Sequence, residues 1–266
     1  VRAMCQNDAH LFVRPDQIKE EFAKVVALIL DVYKDFHITE YSFRLSLRDK
    51  DDTEKYFQDD EMWNRAEMEL RNVLNELNLP YYEAIGEAAF YGPKLDVQIK
   101  TAIGHDITLS TCQLDFLLPE RFDLTYVDEF GEKVRPVVIH RAIIGTFDRF
   151  MAYLIEETKG AFPLWLAPTQ INVIPVNLEY HEEYARKIQS ELVGWNYRVD
   201  LDLKNEKLSY KIRESVMRKV PITVILGQKE VDEGTISYRK YGSEETVTVT
   251  KEAFQAYLED QIQKKL

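Results

Sequence analysis

The chain has 266 residues, 45% hydrophobic and 12% aromatic, enough for a sizeable core in one large or two ordinary domains. No apolar run reaches the length of a membrane span. The opening VRAMCQNDAH lacks the apolar stretch of a signal peptide, and two cysteines, Cys5 and Cys112, make no disulfide framework and fit a reduced cytosolic protein. The net charge of −12 argues against general nucleic-acid affinity, but it is uneven: Pro168–Leu266 holds 15 Lys and Arg against 16 Asp and Glu. Within it, Lys204–Lys219 carries six basic residues and two acidic ones, and local clusters rather than totals decide contact with phosphates. A solvated helix face is the other reading of that stretch.

In chain order, DAHLFV (8–13) alternates weakly and reads as a strand. Pro15 and Asp16 open a helix, because proline in a first turn costs no hydrogen bond; Phe22, Val25, Val26, Ile29, Leu30 and Tyr33 then repeat at helical spacing. YSFRLSLR (41–48) alternates strictly, with Phe43, Leu45 and Leu47 on one face and Ser42, Arg44, Ser46 and Arg48 on the other. An acidic loop, DKDDTEKYFQDDE, leads to a helix over 62–79. LDVQIK (95–100), ITLSTCQLDF (107–116) and PVVIH (136–140) are strand-like, with Thr108, Ser110 and Gln113 set among apolar residues. A helix is expected from about Ile144 to Glu157. Strands in succession with helices inserted predict an α+β domain with a mostly antiparallel sheet, assigned to residues 1–167.

Gly160–Pro168 reads as a linker with a few anchoring apolar groups. After it, short apolar strands at 171–176, 197–202 and 222–227 alternate with helices at 179–193 and 205–219. Strands at 235–239 and 245–249 and a helix from Glu252 complete a smaller α/β domain over 168–266.

Four groups of residues carry candidate chemistry. His10 and His140 each sit in a predicted strand among apolar neighbours. A lone strand histidine is more often a core residue, and two are too few for a closed zinc site. Arg149 lies one turn into the helix that follows Gly145, where a guanidinium above a sheet suits a triphosphate; a surface ion pair with Asp148 or Glu156 is the alternative. In IGEAAFYGPKLDVQI a Tyr-Gly-Pro-Lys turn would present Tyr91 and Lys94 at a strand edge, though a plain loop explains it equally well. The basic stretch Lys204–Lys219 is the fourth.

Together these runs resemble the threonyl-tRNA synthetases, a class II synthetase family. The resemblance is carried by QNDAHLF (6–12), AFYGPK (89–94), STCQLDF (110–116), PVVIHRAIIGTFDRF (136–150), WLAP (165–168), NEKLSYKIRE (205–214) and VILGQKEV (224–231). Several long motifs in order across two domains are far more specific than any one of them. The resemblance implies an antiparallel catalytic sheet with flanking helices, then an α/β anticodon-binding domain. It implies that the threonine carboxylate attacks the α-phosphate of ATP, and that the adenylate then passes threonine to the 3′ end of threonine tRNA. Arg149 matches the arginine that binds the ATP phosphates with Mg²⁺, and Lys94 a lysine near the α-phosphate.

His10 and His140 match two of three family zinc ligands; the third is a cysteine upstream, which neither Cys5 nor Cys112 matches. Gln6, Asp8, Tyr91, Gln113 and Thr146 match positions around threonine. Zinc there selects the substrate hydroxyl, which an apolar pocket separates poorly from the methyl group of valine. Asn205, Glu230 and Arg239 match positions that contact anticodon bases, with Arg213 and Lys219 nearby. Lys207, Lys211 and Arg218 fall on one helix face and are expected to touch phosphates. A cytoplasmic homodimer without membrane contact is implied. Asp148 stands where the family often has glutamate, and the first signature and the loop of the second lie upstream of Val1 in the family. Two rivals are a non-catalytic tRNA-binding paralogue and a prolyl or histidyl synthetase, whose sites lack the histidine pair.

Overall fold

The computed structural model describes residues 2–266, and the chain divides into two compact units between Tyr153 and Leu154. In the first unit, β1 (Gln6–Val13) leads through a short 3-10 turn at Pro15–Gln17 into α1 (Ile18–Asp35). β2 (Tyr41–Leu47), α2 (Asp60–Glu76), β3 (Tyr81–Ile85), β4 (Lys94–Lys100) and β5 (Asp106–Asp115) follow. Then come α3 (Leu117–Arg121), the small hairpin β6 (Tyr126–Val127) and β7 (Lys133–Val134), β8 (Val137–Thr146) and α4 (Phe147–Thr158). Six strands form one sheet in the order β1-β8-β5-β4-β2-β3. Every neighbouring pair is antiparallel except β2 with β3.

The expected strict alternation of β2 divides the sheet into an apolar and a polar face. Phe43, Leu45 and Leu47 are buried with Leu95, Val97 and Ile99 of β4 and Leu114 and Ile139 of β5 and β8. Against the core, α1 sends Phe22, Val25, Val26 and Ile29, spaced as one helical stripe. Tyr33 at its end joins its hydroxyl to the buried Ser110 hydroxyl at 2.7 Å. α2 begins at Asp60 rather than at Met62 because the Asp59 side chain accepts from the Met62 amide at 2.9 Å and caps the helix.

β8 is the main departure from expectation. It continues past His140 to Thr146, so α4 starts at Phe147 and Arg149 is its third residue. The cause is a bulge: Gln6 pairs with Thr146 while Asp8 pairs with Ala142. Gly145 takes φ +63° within it, and a side chain there would press on the Leu109 carbonyl oxygen at 3.1 Å. The displaced backbone of Ile143 is satisfied by side chains, its amide by Asn7 Oδ1 at 3.1 Å and its carbonyl by the Ser110 hydroxyl. β3, α3, the β6–β7 hairpin and a short helix at Gln228–Glu233 are additions to the expected elements.

The second unit holds β9 (Ile171–Pro175), α5 (Leu178–Gly194), β10 (Val199–Leu201), α6 (Leu208–Met217), β11 (Ile222–Leu226) and α7 (Gln228–Glu233). β12 (Ile236–Lys240), β13 (Val247–Val249) and α8 (Lys251–Gln263) complete it. Its five strands run β10-β9-β11-β12-β13, the first three parallel and the last two joined antiparallel. Ile171, Val173, Ile188, Leu192, Val224 and Phe254 centre its core. The expected linker is packed into this unit: Leu164 is buried and its amide donates to the Leu266 carbonyl at 3.0 Å.

The stripe on α1 makes a direct test. Phe22 is 0% exposed and Leu28 is 42% exposed. Phe22→Ala should lower unfolding free energy by about 3–5 kcal/mol, and Leu28→Ala by no more than about 0.5 kcal/mol, read from urea unfolding curves.

Candidate active site

Residues directly opposite in neighbouring strands share a face of the sheet. One such line crosses five strands: His10 of β1 faces His140 of β8, His140 faces Gln113 of β5, Gln113 faces Lys94 of β4, and Lys94 faces Ser46 of β2. The line beside it is Asp8, Ala142, Thr111, Asp96 and Arg44. Both lie on the face away from the apolar core. The structure therefore brings His10, His140, Gln113, Lys94 and Asp8 together, and the small side chain of Ala142 leaves a low place in the second line.

Buried Asp96 anchors one end. Its carboxylate is 0% exposed and accepts from Lys94 Nζ at 2.9 Å, Arg44 Nη2 at 2.8 Å, the Ser46 hydroxyl at 2.8 Å and the Thr111 hydroxyl at 2.9 Å. Burial pushes this carboxyl up, but Lys94, Arg44 and Ser46 outweigh it and hold the group below its ordinary value. Lys94 is thereby pinned at one hydrogen-bonding partner, with its ammonium on the polar face. Lys94 and Asp96 lie two apart in one strand and so share a face, a signal that could have found Asp96, whereas Arg44, Ser46 and Thr111 join it only through cross-strand pairing that the sequence alone does not show.

The expected Tyr-Gly-Pro-Lys turn is tight. Ala89 bridges to Gly92, and a side chain at Gly92 would meet the Leu114 carbonyl oxygen at 1.9 Å. Only glycine lets the turn lie against β5. Tyr91 consequently leans over the first line, donating its hydroxyl to Gln113 Oε1, with its ring 5.3 Å from that of His140. Burial, then the charges of Asp115 and Asp8, push the Tyr91 phenol up to about 12, so it stays a donor at neutral pH.

His10 and His140 stand with ring centroids 4.5 Å apart, nearly perpendicular. His140 Nε2 is 2.7 Å from Oδ2 of buried Asp115. With Nε2 of His140 taken by Asp115, its Nδ1 and the His10 ring, which makes no hydrogen bond among the described residues, fit two donor positions of a zinc site. Among the described residues no group of three or more His, Cys, Asp and Glu side chains is disposed to hold a metal ion. Cys112 faces the apolar side, where burial pushes its thiol far up, and Cys5 is exposed. Gln6 is exposed opposite Thr146, whose hydroxyl accepts from the Arg149 amide at 3.4 Å. The Arg149 side chain is exposed, and no carboxylate among the described residues holds it in an ion pair.

In the second unit, Arg239 lines a cleft of about 630 Å³ with Ile212 and Val216 of α6, Thr223 and Tyr241; its Nε donates to the Thr246 hydroxyl at 2.7 Å. Asn205 is exposed in the loop before α6, and Arg213 is exposed on α6. The Glu230 carboxylate is tied internally, to the Gly227 amide at 2.8 Å and the Ser237 hydroxyl at 2.6 Å. Lys219 donates to the Lys159 carbonyl. The expected phosphate-facing row of Lys207, Lys211 and Arg218 does not form. Lys211 is 2% exposed beside buried Ser215, one turn on, and its ammonium reaches the Asp202 carbonyl at 3.2 Å. Arg218 lies past the helix end and pairs with Asp200.

Residues 1–158 match the family model of the tRNA synthetase class II core domain (G, H, P, S and T), and residues 170–261 match that of the anticodon binding domain. The Threonine–tRNA ligase of Staphylococcus carnosus (strain TM300) is 60% identical over 265 residues, covering 100% of this chain and 41% of that protein. The Threonine–tRNA ligase of Staphylococcus aureus (strain JH9) is 59% identical with the same coverage. A crystal structure of the RNA binding domain of threonyl-tRNA synthetase from Cryptosporidium parvum Iowa II superposes with a TM-score of 0.90 at 31% identity. It covers 98% of this chain and 64% of that one. The chain thus spans about two-fifths of the length of these curated relatives.

Asp96 predicts an acid-sensitive site. A depressed folded-state value gives stability that is present above the unfolded carboxylate range and lost as pH falls through the folded value. Urea midpoints should fall on acidification below about pH 4, and Asp96→Asn should be less stable at pH 7 and flatter on that limb. Parallel acid limbs in the two proteins would contradict the assignment.

Proposed function

The chain belongs to the class II tRNA synthetase family, and from that membership we propose that it is the amino-acid-activating and anticodon-binding portion of a threonine–tRNA ligase. The single observation that carries this reading is the unbroken line His10–His140–Gln113–Lys94 across the polar face. Activation of threonine joins its carboxylate to the α-phosphate of ATP with loss of pyrophosphate. The step needs no protein nucleophile; it needs two substrates aligned and the charge on phosphorus offset. Lys94, held by Asp96, supplies positive charge at the α-phosphate end of the line. Arg149, exposed and in no ion pair among the described residues, takes the outer phosphates together with the Mg²⁺ that accompanies ATP.

At the other end, His10 and His140 would hold zinc, which when bound supplies a Lewis acid that tests the amino acid for a hydroxyl. Tyr91 occupies the carbonyl oxygen of Gln113, so the Gln113 amide nitrogen is left to donate toward the substrate. Asp8 adds a carboxylate for the substrate ammonium, with Gln6 and Thr146 at the bulge beside it. In the second unit, the cleft lined by Arg239 takes a splayed anticodon base of threonine tRNA, and Asn205 and Arg213 offer exposed donors nearby in sequence. Glu230 and Lys219, both engaged internally, shape that surface more than they reach from it. A cytoplasmic homodimer is part of the reading; among the described residues no helix is long and apolar enough to cross a membrane.

ATP–pyrophosphate exchange by the full-length protein tests this. Threonine should support exchange, and valine should do so about 10⁴-fold less well, as expected of a site built to engage a hydroxyl. Lys94→Ala and Arg149→Ala should each lower kcat by about 10²-fold. Exchange with proline or histidine in place of threonine would overturn the substrate assignment, and no exchange with any amino acid would favour a non-catalytic tRNA-binding role.

A further inference from the structure

We propose that Asp115 is a positioning residue that holds the His140 ring with its proton on Nε2 and so presents the Nδ1 lone pair to the metal. The inference rests on the reading above of His140 as a zinc ligand. Asp115 is 0% exposed, and both of its carboxylate oxygens are committed. Oδ1 accepts from the backbone amides of Leu117 at 3.0 Å and Leu118 at 2.9 Å, at the start of α3. Oδ2 lies 2.7 Å from His140 Nε2. A carboxylate only accepts, so the hydrogen between them belongs to the ring. A neutral imidazole protonated at Nε2 has one remaining lone pair, on Nδ1.

The geometry makes the choice hard to reverse. Rotating the carboxylate away from His140 would break two backbone hydrogen bonds at a buried helix start. The ring itself is flanked by His10, with centroids 4.5 Å apart, and by Tyr91 at 5.3 Å. Asp115 thus links the start of α3 to the orientation of one donor atom, and loss of such an outer partner typically costs a metal site about 10–100-fold in affinity. A capping role alone would leave both the tautomer and metal affinity indifferent to the atom facing His140.

Asp115→Asn separates the two roles. Its amide oxygen can keep the Leu117 and Leu118 bonds while its amide nitrogen, a donor, faces Nε2 and favours the opposite tautomer. Long-range ¹H–¹⁵N spectra of the metal-free 266-residue chain should show His140 protonated at Nε2, and in Asp115→Asn protonated at Nδ1 or mixed. In the full-length protein, competition with a chromophoric chelator should show Zn²⁺ held about 10–100-fold more weakly by the variant, with the two melting curves close together. Unchanged His140 nitrogen shifts with unchanged Zn²⁺ affinity would overturn the proposal. So would a wild-type His140 protonated at Nδ1, which is readable even if the variant does not fold. A full-length protein that takes up no Zn²⁺, with His140 still protonated at Nε2, would sink the zinc reading and the metal-orienting role with it, leaving only the hydrogen bond.

Discussion

Register across an antiparallel sheet is the constraint on which everything else here depends. His10, His140, Gln113 and Lys94 come from four strands separated by long stretches of sequence, and they form one line only because each pair is directly opposed. A slip of one residue would turn a whole strand over. The opposite face forbids that slip, since Leu45, Leu95, Cys112, Leu114 and Ile139 would then face water. Apolar burial on one side thus holds the chemistry in place on the other, and sets the positions at which the polar face carries its charged residues.

Two buried carboxylates translate that frame into the orientation of individual atoms. Asp96 gathers Lys94, Arg44, Ser46 and Thr111, so the lysine at one end of the line is not a free tether. Asp115 does the same for His140 at the other end. Removing one member of such a buried cluster leaves the others without a partner, which is more costly than an exposed ion pair would suggest. The bulge between Gln6 and Asp8 is the third device. It turns β8 at Gly145 and brings Thr146 and the start of α4 to the edge of the polar face, carrying Arg149 with them.

Much of this was legible in the sequence, and the parts that were not share a cause. Alternation in the run 41–48 announced a sheet with one polar face, and the helical stripe from Phe22 to Tyr33 announced what covers the other. Periodicity describes one element at a time, however, and register lies between elements. Asp96 therefore read as one more alternating residue, and β8 seemed to stop at His140 because Gly145 breaks the pattern four residues beyond Arg141. Lys211 misled for a related reason. Helical spacing grouped it with Lys207 and Arg218, whereas the side of α6 that packs inward carries Lys211 and Ser215. Composition gave the charge of that helix but not which of its sides is covered. The class II resemblance reached the family because its motifs are long, ordered and spread over both units.

The proposed function ties the histidine pair to amino-acid recognition through a zinc ion held by the two opposed rings, and diffraction at the zinc absorption edge tests that proposal. Crystals of the full-length protein grown with threonine should give an anomalous peak about 2.0–2.1 Å from one nitrogen of each ring, that of His140 being Nδ1, with the threonine hydroxyl at the same centre. A peak elsewhere, or threonine bound with His10 and His140 unligated, would contradict it and leave the polar line as a binding face without its metal.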